Sequence, residues 1–381
     1  MAGGWDSFRS VSGVRQQSPE KVVLDFGAGP RPIHVSTRVL NLRRDADLAP
    51  ATGPVDWSQL DALPDLLTVE WSGPDRGIIE AVAARPGVQF LYWLDAVGDV
   101  DLTPTRLDTV RLGGPDLGRI HLPDTVRTLL LKRPPAHLTV EAPDGGRRID
   151  VRFFHYGSDV VIPAGLRRAA TLWLRVGDTV SARVLSPLTD LANLTLTFDD
   201  PPGTLTEPAD LDRHAGLHTL RLDSAYGLDP HALPDLPALR NLKLNGTRRR
   251  TARALKARFK GTLVTVDVRG AKTEEWLAEH MFNPFRDWVD ESKAFGTAAC
   301  AAYNRARAAA DAVADDDPDR LAALEVALRG LVTDLNAIDD RYELIDTINR
   351  EHAWTIFHDM ACELRVPPDL IDEWFDADRQ F

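Results

Sequence analysis

The chain has 381 residues, 44% of them hydrophobic, a length that suits about two domains with a sizeable buried core. Two cysteines, Cys300 and Cys362, exclude a disulfide framework, and no apolar run approaches the roughly 20 residues that span a bilayer. The net charge of −12 divides unevenly: residues 273–381 hold 25 Asp/Glu against 10 Lys/Arg, whereas the preceding 272 hold 32 against 35. Such a break predicts two domains of different character. The opening MAGGWDSFRSVSGVRQQ lacks the basic-then-apolar pattern of a signal peptide, so a cytoplasmic protein is expected. Only seven of the basic residues are lysines, and Ala, Asp, Pro and Gly are frequent, a bias expected of a GC-rich bacterial genome.

The first motif is VVLDFGAGP, 22–30. A short apolar run ending in Asp25 and followed by Gly27 and Gly29 resembles the glycine turn of S-adenosylmethionine-dependent methyltransferases. That turn leads into a helix whose N-terminus faces the ligand. Here Pro30 and Pro32 frame the point where the helix would begin, and apolar alternation resumes at Ile33, Val35 and the run Val39 to Leu42. Two strands joined by a glycine-proline loop fit these residues better, and residues 1–65 are expected to form a hairpin cap and the first turn. Cofactor binding at Gly27 and Gly29 is kept as an alternative.

From residue 66 onward an apolar-x-x-apolar-x-apolar pattern recurs: LLTVEW, VQFLYW, LDTVRL, VRTLLL, RIDVRF, AATLWL, LANLTL, LHTLRL, LRNLKL and LVTVDV. The central apolar residues are Val69, Leu91, Val110, Leu129, Val151, Leu172, Leu194, Leu220, Leu242 and Val266, spaced 19 to 26 residues apart. Between them an apolar stretch ending in proline returns, at Pro104, Pro123, Pro143, Pro163, Pro187 and Pro208. Proline cannot donate to a ladder, so it marks the end of a short extended segment on the opposite side of each turn. The pattern resembles the leucine-rich repeat over residues 66–270. That resemblance implies an α/β-repeat solenoid of about ten turns with short convex extended segments, each turn stacking its apolar strand on the next. The Asn that usually follows the family's strand motif is missing in most turns, leaving Asp199 as one polar candidate at that position.

In a strand, alternate side chains share a face. The residue after each central position gives one column on the concave sheet: Glu70, Tyr92, Arg111, Leu130, Arg152, Trp173, Thr195, Arg221, Lys243 and Asp267. Three residues after it comes a second column with Leu94, Lys132, Phe154, Arg175, Asp223, Asn245 and Arg269. Ten strands about 4.8 Å apart make a surface on the order of 45 Å long. Arginines and aromatics are the residues enriched in binding hot spots. The expected binding residues are therefore Tyr92, Arg111, Lys132, Arg152, Phe154, Trp173, Arg175, Arg221 and Lys243, and the expected partner is an acidic protein or peptide. The net of +3 before residue 273 is not the excess expected of a nucleic-acid binder. The basic run Arg248, Arg249, Arg250, Arg253, Lys256, Arg258 and Lys260 reads as the polar face of a short helix over 250–259.

Residues 271–381 read as an acidic all-α bundle. A first element or two covers 273–295, and GTAACAAYNRARAAADAVA is rich in strong helix formers. Asp317 and Pro318 read as cap and first-turn proline of the next helix, with an apolar stripe at Leu321, Leu324, Leu328, Leu331, Leu335 and Ile338. Residues 343–364 and 367–375 complete the set. Trp276, Phe282, Phe285, Trp288, Trp354, Phe357, Trp374 and Phe375 are the expected core. The acidic clusters at Asp311–Asp319 and Asp339–Asp346 read as solvated faces, with a docking surface for a basic partner or a lid over the groove as their functional alternatives. His358 and Cys362 share a helical face, but His352 lies about 240° away round the helix, so no metal site is expected. Repeats followed by a helical domain with a cysteine also resemble bacterial effector ubiquitin ligases. That resemblance implies Cys362 as an acyl-carrying nucleophile beside His358. The main expectation is a non-enzymatic binding scaffold or regulator, without cofactor or catalytic residue.

Overall fold

A repeat that buries one apolar strand per turn must stack its strands in parallel and in register, because a slip of one residue would turn the core outward. The computed structural model describes residues 21–155, 157 and 159–381, so the first 20 residues of the 1–65 segment lie outside the described residues. The chain divides after Lys272 into two compact units.

In the first unit, eleven strands form one parallel sheet. They run from Val39–Leu42 through Thr68–Ser72, Phe90–Leu94, Thr109–Gly113, Thr128–Lys132, Asp150–Phe154, Thr171–Val176, Asn193–Phe198, Thr219–Asp223 and Asn241–Asn245 to Thr265–Arg269. The ten central apolar residues of the repeat are Cα partners of one another along the whole ladder, and Leu40 extends the row by one. The sheet has eleven strands, one from the first turn within 1–65 and ten from the repeats that follow. Val39–Leu42 is the first strand of this sheet rather than part of the hairpin. The hairpin itself pairs Lys21–Leu24 antiparallel with Arg31–His34. Burial follows the pattern: central residues and those two further on, among them Trp71, Trp93, Phe153 and Leu222, are inaccessible to solvent. Val266 and Val268 are only half-buried, since theirs is the end strand of the ladder.

The opposite side of the coil carries shorter parallel pairings. Gly98–Asp101, Leu117–His121 and Thr139–Glu141 form one three-stranded sheet, and Thr179–Ser181 pairs with Thr204–Thr206. Val100, Ile120, Val140, Val180 and Leu205 point inward from these strands. Pro143 and Pro208 open short 3-10 turns just after two of them, where a missing N–H costs nothing. Adjacent turns approach closely: a Cβ on Gly165 would lie 1.5 Å from the Val140 carbonyl oxygen, so only glycine fits there. Two short helices belong to this unit, α1 (Ile78–Ala83) and α2 (Arg249–Arg258). On α2, Thr251, Ala252 and Leu255 are buried while Arg249, Arg250, Arg253 and Lys256 face solvent. Arg258 donates to the carbonyls of Leu233 and Pro234 and to Asp235, and so ties the helix to the preceding loop.

The second unit contains α3 (Glu274–His280), a 3-10 turn at Pro284–Asp290, α4 (Lys293–Asp311), α5 (Arg320–Tyr342), α6 (Thr347–Glu363) and α7 (Pro368–Asp376). Several helix starts are set by side-chain caps. Thr273 accepts from the Trp276 amide, and Asp346 accepts from those of Ile348 and Asn349. The expected cap of α5 is displaced: the helix starts at Arg320, and the Asp317 carboxylate instead accepts from the Asp319 amide in the preceding turn. Five of the eight expected core aromatics are buried, namely Phe285, Trp288, Phe357, Trp374 and Phe375. Phe282 is 76% exposed, Trp354 is 38% exposed and Trp276 is half-buried. Leu321, at the start of the α5 stripe, is also exposed, in the first turn of its helix.

Each unit holds a histidine whose neutral form is favoured by its surroundings, His214 buried in the first and His352 half-buried in the second. His214 is enclosed in the first unit, and its ring nitrogens have no hydrogen-bond partner. Burial, aided by Arg213, holds its pKa below the ordinary histidine value. In the second unit the Trp288 indole N–H donates to Nδ1 of His352 at 3.0 Å, and burial again lowers the pKa, with Asp287 opposing. The unfolded chain takes up these protons near pH 6.5, whereas the folded units take them up only at lower pH. Stability is therefore full above about pH 6.5 and falls as pH drops through that value toward the folded pKa. Urea unfolding followed by tryptophan fluorescence from about pH 7.5 to 5 should show this loss. The His352→Gln variant should flatten it for the helical unit.

Candidate protein-binding surface

The ladder that buries the central residues presents their alternates on the concave side, so the two predicted columns are brought into line. Asn41, Glu70, Tyr92, Arg111, Leu130, Arg152, Trp173, Thr195, Arg221, Lys243 and Asp267 are successive Cα partners. Gly113, Lys132, Phe154, Arg175, Thr197, Asp223, Asn245 and Arg269 make the second row. A third row, one residue before each central position, was not read from the sequence. It holds Thr68, Phe90, Thr109, Thr128, Asp150, Thr171 and Asn193, and its signal was the same alternation continued one step back.

The middle of this face is built around a block of four side chains. Arg152 and Trp173 are neighbours across the ladder, as are Phe154 and Arg175. The Phe154 and Trp173 rings meet edge to face with centroids 5.5 Å apart. The Arg152 guanidinium lies 5.5 Å from the Trp173 ring centre and that of Arg175 lies 5.8 Å from Phe154. Such contacts are worth about 0.5–1 kcal/mol each at exposed sites. The Trp173 indole N–H donates to Oγ1 of Thr197 at 3.0 Å, and that hydroxyl stands 3.4 Å from Asp223. Trp173 is therefore held in one orientation while its ring remains half-accessible.

Carboxylates neutralise much of the expected basic character. Asp150 accepts from Arg152 at 2.6 Å, Asp199 from Arg175 at 2.7 Å and Asp223 from Arg221 at 2.9 Å. Arg269 stands 3.6 Å from Asp267. Asp199, the polar candidate after the strand motif, is thus the partner of Arg175. Burial raises its pKa despite that arginine. Three of the nine predicted binding residues, Arg111, Lys132 and Lys243, have no carboxylate partner among the described residues. Tyr92 lies under the Arg111 guanidinium at 5.8 Å. From Phe90 to Val176, five strands carry Phe90, Tyr92, Phe154, Trp173, Leu94 and Leu130 among four cations. At about 4.8 Å per strand this patch is roughly 19 Å wide.

The alternative sites are laid out differently. Gly27 and Gly29 do not face a ligand space with free amides: both N–H groups donate to the Asp25 carboxylate, at 2.8 and 3.0 Å. An antiparallel strand follows where a methyltransferase turn would start a helix, which overturns the cofactor alternative there. On α6, the Cys362 sulfur lies 3.8 Å from both ring nitrogens of His358, and Glu363 is engaged by Arg307. The His358 ring stacks on Trp354. Among the described residues no group of three His, Cys, Asp or Glu could hold a metal ion, and no helix is long and apolar enough to cross a membrane. The second thiol, Cys300, is buried and its pKa is pushed up to about 12 by desolvation. The native protein should thus react with an aromatic disulfide reagent at one thiol, Cys362, and at the second only after unfolding.

No family model matches the chain, and none of the curated proteins matches it. Among solved structures, a chain from the crystal structure of the LRIM1/APL1C complex matches over 93% of this chain and 93% of its own, with 11% identity and a TM-score of 0.25. So loose a superposition carries no weight. A leucine-rich-repeat-like architecture is instead displayed by the chain itself, in one parallel strand per 19 to 29 residues along an unbroken eleven-stranded sheet.

Proposed function

We propose that this protein is a non-enzymatic binding scaffold or regulator that holds a protein partner, acidic in character, against the middle of its concave sheet. The observation that carries the reading is the Arg152, Trp173, Phe154 and Arg175 block, half-accessible yet fixed in place. Large rings on the open face of a solenoid add little to its stability beyond their mutual contacts, because the core lies on the other side of the strands. Rings that are rigid before binding lose little entropy on association. The acidic character of the partner follows from the central five strands, where Arg152 and Arg175 are neutralised and Arg111 and Lys132 are not. Arg221, further along the sheet, contributes less in this reading, since it is paired with Asp223, and Lys243 stands apart from the aromatic block. Affinity capture with the wild type beside the Trp173→Ala and Arg152→Ala double variant tests it. A partner held by the first and lost by the second supports it; a partner held equally by both moves the binding site elsewhere.

A further inference from the structure

We infer that Arg111 and Lys132 form a subsite for the carboxylates of Asp or Glu side chains on the partner, next to a large apolar residue that seats on Trp173 and Phe154. The inference rests on the docking reading above and adds the chemistry of the occupant. Four arginines of the concave face are occupied by carboxylates of this chain, but Arg111 and Lys132 are not. The Nε of Arg111 is buried against its surroundings with no acceptor, and its guanidinium rests on Tyr92. A buried donor without an acceptor is costly, and nothing among the described residues satisfies the Arg111 Nε. Lys132 stands on the neighbouring strand, two residues further along than the Cα partner of Arg111, which is Leu130. Strand spacing and rise put the two Cα atoms about 8 Å apart. Leu130 and Phe154 adjoin Lys132 on the same face, so the cations border an apolar floor.

The sheet N–H groups are committed to the ladder, so the subsite offers side-chain donors alone. Phosphate sites are typically built from convergent backbone N–H groups or bidentate arginine clusters. Two separate monocations suit two carboxylates better, and the commitment is to an acidic segment rather than a phosphorylated one.

Fluorescence anisotropy with a labelled synthetic peptide alternating Asp and Phe, its Asn isostere and its phosphoserine counterpart tests the assignment at low salt. The Asp peptide should bind at least about tenfold more tightly than the Asn peptide, and added salt should erase the difference. The Arg111→Gln and Lys132→Gln double variant, its fold checked by circular dichroism, should lose that tenfold preference and keep its affinity for the Asn peptide. Trp173→Ala should weaken both peptides. Equal binding of the Asp and Asn peptides, absence of binding to either, or an unchanged preference in the double variant overturns the subsite. Tighter binding of the phosphoserine peptide overturns the choice of carboxylate. If Trp173→Ala weakens both peptides while the double variant changes nothing, the subsite fails and the docking reading stands. If Trp173→Ala changes neither peptide, the docking reading fails on its own terms.

Discussion

Replacing Trp173 with alanine should lower affinity for the partner by at least about thirtyfold, which corresponds to the 2 kcal/mol or more that marks a binding hot spot. The residue combines the features of such an anchor: a large half-accessible ring, a satisfied N–H, and aromatic and guanidinium neighbours that hold it in place. Its truncation removes the Phe154 edge contact and the Arg152 stacking contact together. Arg152 keeps its carboxylate partner, so no buried charge is left stranded. Leu172 and Leu174, on the inner side of the same strand, remain packed, and the fold should survive. Titration calorimetry with the captured partner and a thermal melt of the variant check both halves of this expectation. Lys243→Ala, three strands away, should change affinity by less than about twofold if docking is confined to the middle of the sheet. Comparable losses from both substitutions would mean that the whole face is used.

The largest loss of stability should come from the inner side. Trp93→Ala removes a side chain wholly inaccessible to solvent and is expected to cost about 3–5 kcal/mol through lost burial and the cavity left behind. It also strips the Gly73 carbonyl of the indole N–H that donates to it at 2.7 Å, worth a further ~1–3 kcal/mol if no water enters. Trp71 stands beside Trp93 in the ladder, so the damage falls on the interface between two turns. In a solenoid each turn is stabilised mainly by its neighbours, and the N-terminal turns should melt before the rest. Trp93→Phe keeps most of the volume and should lose chiefly the hydrogen bond. Urea unfolding of the two variants gives the comparison: a much smaller loss in Trp93→Phe would show that packing fixes the site, whereas equal losses would assign the effect to the hydrogen bond that both variants lack.

The architecture was legible because burial in a repeat is written locally. Each strand declares its inner face by two apolar residues separated by one, and ten such strands placed ten rows correctly without any long-range information. The concave columns followed from the same alternation. Even the pairs Arg152 with Asp150 and Arg221 with Asp223 stand two apart on one face, so a strand reading contained them. The boundary between the hairpin and the first turn was not legible, because the four-residue strand Val39–Leu42 beside a hairpin carries the same signal as the hairpin itself.

What the sequence by itself determined is the repeat, its register and the two-part division by charge. Tertiary structure alone decided which cations are free to act. Arg175 meets an aspartate 24 residues away, on the loop leaving the next strand, and no local spacing announces that contact. It likewise decided that Phe282 and Trp354 face outward while Trp288 is enclosed against His352. Hydrophobic burial along a strand or helix obeys a fixed period, whereas an ion pair or the cover over one aromatic ring depends on which side chains the stacking of separate elements brings within reach.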